Sequence, residues 1–314
     1  MKVLGFGAVL WDDISDGHSQ KGAQNIGGAV FNVMFHLKQL GHRVSMLTAV
    51  GNDPLGDRTI RTMKALGMDV KLVKRVPEPT CLVRVTFDSN RQPSYSCDEQ
   101  VSWDFITAGR QDIELINKNK YDILCFGTIE QRHGVSRETL RKVLEKCRFN
   151  TLYLDLTLRS PFYSKEVVEY SLKKCTVAKM NMEEAAVTDK MFSIGAVSVK
   201  EFMASLQQLF SIGKVVVTDG ENGAYFAADE GCGHVGGYHA DMIDPVGAGD
   251  AFSAGLLHKL YEGFSTEDAC DFACRMGAMI CSKKSSIADY TMEEVNSLSK
   301  RPDSGKTCSS RKLA

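Results

Sequence analysis

The chain has 314 residues, which at roughly 150 residues per domain suggests about two domains and a sizeable buried core. Its 38 Lys and Arg residues nearly balance its 39 Asp and Glu residues, so we expect neither nucleic acid nor an anionic membrane surface as a partner. No apolar run reaches the roughly 18 residues that a transmembrane helix needs, and no secretory cleavage site follows the first apolar stretch. We therefore expect a soluble, cytoplasmic protein whose ten scattered cysteines are reduced.

Strand-like and helix-like segments alternate along most of the chain. An apolar stripe at helical spacing ends at Gly41, and a strand-like run from Val44 to Val50 follows it. Later strands are predicted at Tyr121–Gly127, Thr151–Leu156, Thr176–Met180 and Lys214–Thr218. Helices are predicted near Ser136–Cys147, Ser164–Lys173 and Lys200–Phe210. This order is typical of an α/β fold with a mostly parallel sheet covered by helices on both faces.

Two segments interrupt the alternation, near residues 11–23 and 80–102. No helix pattern joins their strand-like parts, so they predict a small antiparallel sheet, and we favour a lid over a plain edge hairpin. The tail from Ser299 to Ala314 has few apolar residues and is predicted to be disordered. The sequence thus favours one α/β domain over residues 1–298, with inserted lid strands, rather than two domains.

The most informative segment reads Asp-Pro-Val-Gly-Ala-Gly-Asp-Ala-Phe from Asp244 to Phe252. Apolar residues then recur every fourth position, which places a helix start at or near Gly249. The small residues Gly247, Ala248 and Gly249 let a ligand approach backbone N–H groups that favour an anion. Asp250 beside that anion suits a base that takes the proton of an attacking hydroxyl. A glycine-rich helix start with an ordinary acidic residue is the alternative.

This segment resembles the C-terminal motif of the ribokinase-like carbohydrate kinases, the phosphofructokinase-B group. Gly27-Gly-Ala-Val-Phe-Asn32 resembles the N-terminal motif of that family, and Val50-Gly-Asn-Asp-Pro-Leu-Gly56 its Gly-x-Asp-x-x-Gly element. The resemblance runs from about Lys2 to Tyr290. It implies a three-layer α/β/α sandwich with a mostly parallel central sheet and a small antiparallel β lid, through which a homodimer is expected.

The resemblance also implies roles for single residues. Asp250 matches the catalytic base, and the preceding Gly-Ala-Gly matches the anion hole for the transferred phosphoryl group. Asn181 and Glu184 match an Asn-x-x-Glu element that positions Mg²⁺ through water, although a surface helix acid is the simpler interpretation of Glu184 alone. Asp244 matches part of a loop that binds a monovalent cation such as K⁺ in relatives.

Binding residues for both substrates follow from the same resemblance. Thr218, Gly220, Gly247, Gly249 and Cys274 match positions at the nucleotide, which implies ATP. The acceptor sugar is expected at Asp12, Gly28, Asn32 and Arg159, although a capping role explains Asn32 equally well.

Four departures from the family pattern bear on substrate preference: Thr157, Asp219, the Ser285-Ser286 pair, and Cys274, which stands where some relatives have a polar residue that contacts adenine. The local resemblance favours bacterial fructokinase-like members, so we expect ATP-dependent phosphorylation of a ketohexose such as fructose. A kinase of a nucleoside or another small alcohol is one alternative. A non-catalytic, sugar-binding regulator is the alternative from another class.

Overall fold

A computed structural model describes residues 1–14, 23–87, 93–96, 98–302 and 307–313. Thirteen strands are present among these residues. They are Lys2–Phe6 (β1), Leu10–Ile14 (β2), Ala23–Gly27 (β3), Arg43–Gly51 (β4), Val73–Val76 (β5), Leu82–Phe87 (β6), Pro93–Ser96 (β7), Ile123–Phe126 (β8), Thr151–Asp155 (β9), Val177–Asn181 (β10), Lys214–Thr218 (β11), Ala224–Ala228 (β12) and Gly231–Val235 (β13).

Ten α-helices lie in the same described ranges. They are Ala29–Gln39 (α1), Pro54–Ala65 (α2), Arg110–Asn119 (α3), Gly134–Lys146 (α4), Lys165–Lys174 (α5), Met182–Phe192 (α6), Val199–Phe210 (α7), Ala248–Tyr261 (α8), Thr266–Cys281 (α9) and Met292–Ser297 (α10). Within the residues that the structure describes, none of these helices is long and apolar enough to cross a membrane.

Nine strands form the central sheet in the order β13-β12-β11-β10-β9-β8-β1-β4-β5. Every neighbouring pair from β11 to β5 is parallel, and the two pairs at the other edge, β11–β12 and β12–β13, are antiparallel. Successive side chains of a strand point to opposite faces. In β1, for example, Leu4 packs in one hydrophobic core and Val3 in the other.

Each core lies beneath its own layer of helices. Helices α3 to α7 pack on one face of the sheet, and α1, α2, α8 and α9 cover the other. The prediction of a three-layer sandwich around a mostly parallel sheet is therefore confirmed. The carboxyl ends of the parallel strands lie at one edge of the sheet, and there Lys179 of β10 and Thr218 of β11 lie beside the first residues of α8.

The two interrupting segments form a separate four-stranded sheet in the order β3-β2-β6-β7. Its two hairpins, β2–β3 and β6–β7, are antiparallel as predicted, and the central pair β2–β6 that joins them is parallel. Residues 15–22 of the first predicted lid segment, and 88–92 and 97 of the second, lie outside the described residues.

The tail differs from the prediction. Residues 299–302 and 307–313 lie against the domain, and residues 303–306 and 314 lie outside the described ranges. The backbone N–H groups of Val199 and Lys200 donate to the carbonyls of Arg311 and Cys308 at 3.0 and 3.1 Å. The Cys308 side chain is buried. The prediction of disorder was wrong for these residues because backbone bonds and one buried thiol, rather than a long apolar stripe, hold them.

Candidate active site

Asp250 and Asn32 meet at the N-terminus of α8, although 218 residues separate them in the chain. The Asn32 amide Nδ2 donates to Asp250 Oδ2 at 2.7 Å, and Asn32 Oδ1 is buried without a hydrogen-bond partner among the described residues. Burial raises the pKa of Asp250 to about 7, against the opposing effect of the Asn32 hydrogen bond. Asn32 lies inside α1, whose N-cap is Gly28, so the capping interpretation was wrong.

Asp12 and Gly28 border the same space. Gly28 has φ 120°, and a Cβ atom there would lie 2.4 Å from the Ala8 carbonyl oxygen, so only glycine fits this turn from β3 into α1. A Cβ atom on Gly27 would lie 3.3 Å from Asp12 Oδ2 and 3.9 Å from Asn32 Oδ1. Asp12 and Asn32, two of the predicted acceptor residues, therefore both lie next to Gly27, and Asn32 also donates the hydrogen bond to Asp250.

Burial, followed by the charge of Asp244, raises the pKa of Asp12 to about 6. Asp244 therefore acts electrostatically on Asp12, one of the predicted acceptor residues. Its Oδ1 accepts a hydrogen bond from the Val246 N–H at 3.0 Å, which orders the loop before α8.

The predicted anion hole is the first turn of α8, which begins at Ala248, one residue before the predicted start. Its N-cap, Gly247, has φ 83°, a conformation that glycine adopts without strain. A Cβ atom on Gly247 would lie 2.4 Å from the Ser286 Cβ. Ser286, one of the departures from the family pattern, thus packs against the backbone of the predicted anion hole. Gly249, the second residue of α8, is exposed.

A buried lysine that the sequence analysis missed lies beside this turn. Lys179 Nζ is 3.0 and 3.2 Å from the two carboxylate oxygens of Asp155, on the adjacent strand. It would lie 3.1 Å from a Cβ atom on Gly249. Ser253 Oγ of α8 also donates to Asp155 at 2.9 Å. A lysine inside an otherwise apolar central strand was the signal in the sequence, because charged groups are buried only when they are paired.

A cavity of about 300 Å³ opens on the other side of the α8 N-terminus. The predicted nucleotide residues Thr218, Gly220, Gly249 and Cys274 line it together with Ala248. Burial raises the pKa of the Cys274 thiol to about 12, so this side chain is a neutral, apolar part of the wall. Lining residues that the sequence analysis missed include Glu221, Tyr238, Met242, Phe252, Gly277 and Arg301.

Asn181 and Glu184 form a reciprocal capping box at the start of α6. Asn181 Oδ1 accepts from the Glu184 N–H at 2.8 Å, and Glu184 Oε2 accepts from the Asn181 N–H at 3.0 Å. Glu184 Oε1 accepts from the Leu158 N–H at 2.9 Å, and the residue is buried, so the surface-acid interpretation was wrong.

Both carboxylate oxygens of Glu184 are therefore bonded to backbone N–H groups. The described part of the chain holds no group of three or more His, Cys, Asp or Glu residues that could ligate a metal ion. Mg²⁺ usually keeps several waters and uses one or two carboxylates together with substrate phosphates. These residues fit an ion held through water and do not fit a fully protein-ligated one.

The remaining predicted residues lie around the same centre. Arg159 is 64% exposed, its Nη1 is 3.9 Å from Glu184 Oε1, and its charge opposes the rise in the pKa of Asp250. Thr157 has φ 42°, and its Oγ1 donates to the Asp155 carbonyl at 3.1 Å. Asp219 Oδ1 is 3.0 Å from Arg311 Nη2, so this acid is paired with the C-terminal tail.

Comparison with known proteins decides the family. Residues 9–292 match the family model described as pfkB family carbohydrate kinase. The chain belongs to this family. It is an ATP-dependent carbohydrate kinase, as the sequence motifs predicted.

Relatives and solved structures agree with this assignment. The chain is 25% identical over 272 residues to a fructokinase of Solanum tuberosum, covering 83% of this chain and 82% of that one. The fructokinase of Vibrio cholerae O395, solved with fructose, ADP and calcium ion bound, is 25% identical with TM-score 0.77 over 91% of this kinase and 94% of that chain. The aminoimidazole riboside kinase of Salmonella enterica shares the fold at 20% identity, with TM-score 0.79 over 94% of this kinase and 98% of that chain.

Proposed function

We propose that this kinase transfers the γ-phosphoryl group of ATP to a hydroxyl of a ketohexose such as fructose. The observation that carries the proposal is the position of Asp250. This carboxylate lies in the first turn of α8, whose residues Ala248 and Gly249 line the nucleotide cavity, and it is bonded to Asn32 on the acceptor side.

Asp250 is the base in this proposal. The acceptor hydroxyl oxygen forms a bond to the γ-phosphorus, the bond from that phosphorus to the β–γ bridging oxygen breaks, and Asp250 takes the hydroxyl proton as ADP leaves. A base works best when its pKa is near the working pH, and burial raises the pKa of Asp250 to about 7. The N–H groups of the Gly247–Gly249 turn hold the transferred group, as donors fixed in advance where negative charge develops.

The acceptor side favours a neutral polyol over a phosphorylated sugar. The charge of Asp244 raises the pKa of Asp12, and the charge of Asp155 raises that of Asp250, so negative charges already oppose one another on this side of the site. An acceptor phosphate would add two negative charges among these carboxylates. Hydroxyl groups instead donate to carboxylate oxygens and to Asn32 Oδ1, which has no other described partner. Arg159 at the exposed side supplies a further donor.

Mg²⁺ would be held through water near Asn181 and Glu184, and it would neutralise charge on the ATP phosphates. A monovalent cation such as K⁺ would bind at the loop that contains Asp244. A homodimer through the four-stranded lid and a cytoplasmic location complete the proposal. The fructokinase names of the relatives support the choice of fructose.

A panel of acceptors tests the proposal. ADP production is measured with Mg²⁺-ATP and fructose, fructose 6-phosphate, ribose, glycerol and adenosine in turn. We expect the highest kcat/KM with fructose and little turnover with its phosphate. Preferred turnover of adenosine or glycerol would replace fructose with the alternative acceptors. Sugar binding without turnover of any acceptor would support the non-catalytic regulator instead.

A further inference from the structure

The chain returns to the nucleotide cavity after α10. The His239 N–H donates to the Ser299 carbonyl, and the Arg301 N–H donates to the Gly237 carbonyl, both at 2.9 Å. Tyr238 and Lys300 form the antiparallel bridge between these two bonds. Residues 299–301 therefore lie as an extra strand-like segment along 237–239, a stretch that supplies two lining residues of the cavity.

Arg301 brings a positive charge to the cavity wall. Its Nη1 is 2.8 Å from Glu221 Oε2, and its Nε donates to the Tyr238 carbonyl at 3.3 Å. Arg301 and Glu221 both line the cavity. The ion pair thus joins the tail to the turn after β11, which also carries the predicted nucleotide residue Gly220.

A second arginine of the tail pairs with the other acid of the same turn. Arg311 Nη2 is 3.0 Å from Asp219 Oδ1, and the Asp219 side chain is only 9% exposed. The Arg311 carbonyl accepts from the Val199 N–H at the start of α7, which anchors this part of the tail. Both acids of the turn from Asp219 to Gly223 are therefore paired with C-terminal arginines.

Two unpaired carboxylates next to a bound polyphosphate would repel it. Asp219 is one of the departures from the family pattern, and the tail supplies the countercharge that the local sequence lacks. Like charges repel each other across several ångströms, and this repulsion is stronger when a side chain is mostly buried, because water and salt screen it less.

We propose that the C-terminal tail is a nucleotide-binding element of this kinase, in which Arg301 contacts the bound nucleoside triphosphate and Arg311 positions the turn by neutralising Asp219. The inference rests on the assignment of this cavity to ATP. It goes beyond the proposed function because it places ATP recognition in a segment outside the matched residues 9–292.

Direct ATP binding by the full chain, without acceptor, tests the proposal. In equilibrium dialysis with Mg²⁺-ATP, Arg301→Ala is expected to raise the Kd about tenfold, as removal of one charge-assisted hydrogen bond does. Arg301→Lys keeps the charge and is expected to recover part of the loss. Arg110→Ala is the matched control, because Arg110 is 92% exposed and pairs only with Glu114 on its own helix among the described residues. It should leave the Kd unchanged.

The change Asp219→Asn distinguishes a positioning role of Arg311 from a merely structural role. Arg311→Ala is expected to raise the ATP Kd several-fold, and adding Asp219→Asn should restore it, because the second change removes the uncompensated charge. Lost packing would not be restored in this way. An ATP Kd within twofold of the parent for both arginine variants would overturn the proposal, as would failure of Asp219→Asn to restore binding.

These results are independent of the acceptor. If no sugar is phosphorylated but the arginine variants still bind ATP more weakly, the acceptor assignment fails and the role of the tail stands. If fructose is turned over normally and ATP binding is insensitive to both arginines, the role of the tail fails and the proposed function stands. Thermal melting of each variant is the control that distinguishes weaker ATP binding from partial unfolding.

Discussion

Lys179→Met is expected to destabilise the fold by about 3–5 kcal/mol, because it leaves the buried Asp155 carboxylate without its cation. Both side chains are less than one tenth exposed, at 8% and 7%. Burial alone would lower the pKa of Lys179, but the charges of Asp155 and Glu184 hold it above its usual value. Lys179 is therefore charged, and its positive charge stabilises the buried carboxylate of Asp155.

The magnitude follows from the geometry. Two unit charges 3.0 Å apart attract each other by about 5 kcal/mol at an effective dielectric constant of about 20. Methionine fills most of the volume of the lysine stem, so cavity formation adds little. The hydrogen bond from Ser253 to Asp155 remains and compensates part of the loss.

Urea denaturation at pH 7 measures this change in the free energy of unfolding, with the slope against urea checked for constancy. The double variant Asp155→Asn/Lys179→Met removes both charges and should recover more than half of the loss, since no unpaired buried charge is left. A loss below about 1 kcal/mol in the single variant, or no recovery in the double variant, would refute the argument that this is a desolvated ion pair.

Three further predictions concern the groups around α8. Activity should rise with pH through about 7, because the pKa of Asp250 is raised to about 7 and the proposed base must be deprotonated. Asp250→Asn should lower kcat by about 10²- to 10⁴-fold and abolish the rise in activity near pH 7 in a pH–rate profile. Gly247→Ala should lower kcat/KM for ATP strongly, because its Cβ would lie 2.4 Å from the Ser286 Cβ. Adding Ser286→Gly to this variant should restore part of the activity. Gly41→Ala is the control: Gly41 has a similar φ of 85°, but its Cβ would have no atom within 4 Å, so this change should lower stability and leave activity unchanged. Burial lowers the pKa of His36 to about 4, so the unfolded chain binds a proton that the folded chain does not, and this residue's contribution to stability is complete above pH 6.5 and falls towards pH 4. The variant His36→Asn should reduce the difference in the free energy of unfolding between pH 7 and pH 4.5 by about 2 kcal/mol in urea titrations. An unchanged difference would contradict a lowered pKa of His36 in the folded chain.

Several elements could be predicted from local signals. Strand β11 was predicted with its observed bounds, Lys214–Thr218, because a short apolar run is bounded by turn residues. Helix α8 was predicted within one residue of its start, since small residues followed by an apolar repeat form a strong helix signal. The motif around Asp250 was equally local, so the family could be identified before the fold was known.

Other features depend on residues far apart in the chain. The Asn32–Asp250 bond and the ion pairs of the tail arginines join elements whose approach no local pattern predicts. The tail from Ser299 onward has a disordered composition, yet it is held by partners at 199–200, 219–221 and 237–239. Composition reports whether a segment can form its own core, and it does not report whether an existing surface offers backbone and charge partners.

The sequence by itself determined the α/β class and the family, and it predicted the positions of the base and the anion hole, because short-range periodicity or one contiguous motif carries each of these signals. Only the tertiary structure decided that Lys179 pairs with Asp155 beside Gly249, that Glu184 belongs to a helix capping box, and that Arg301 lines the cavity beside α8. The physical reason is that burial and charge pairing are properties of neighbours in space, which the order of residues along the chain does not specify.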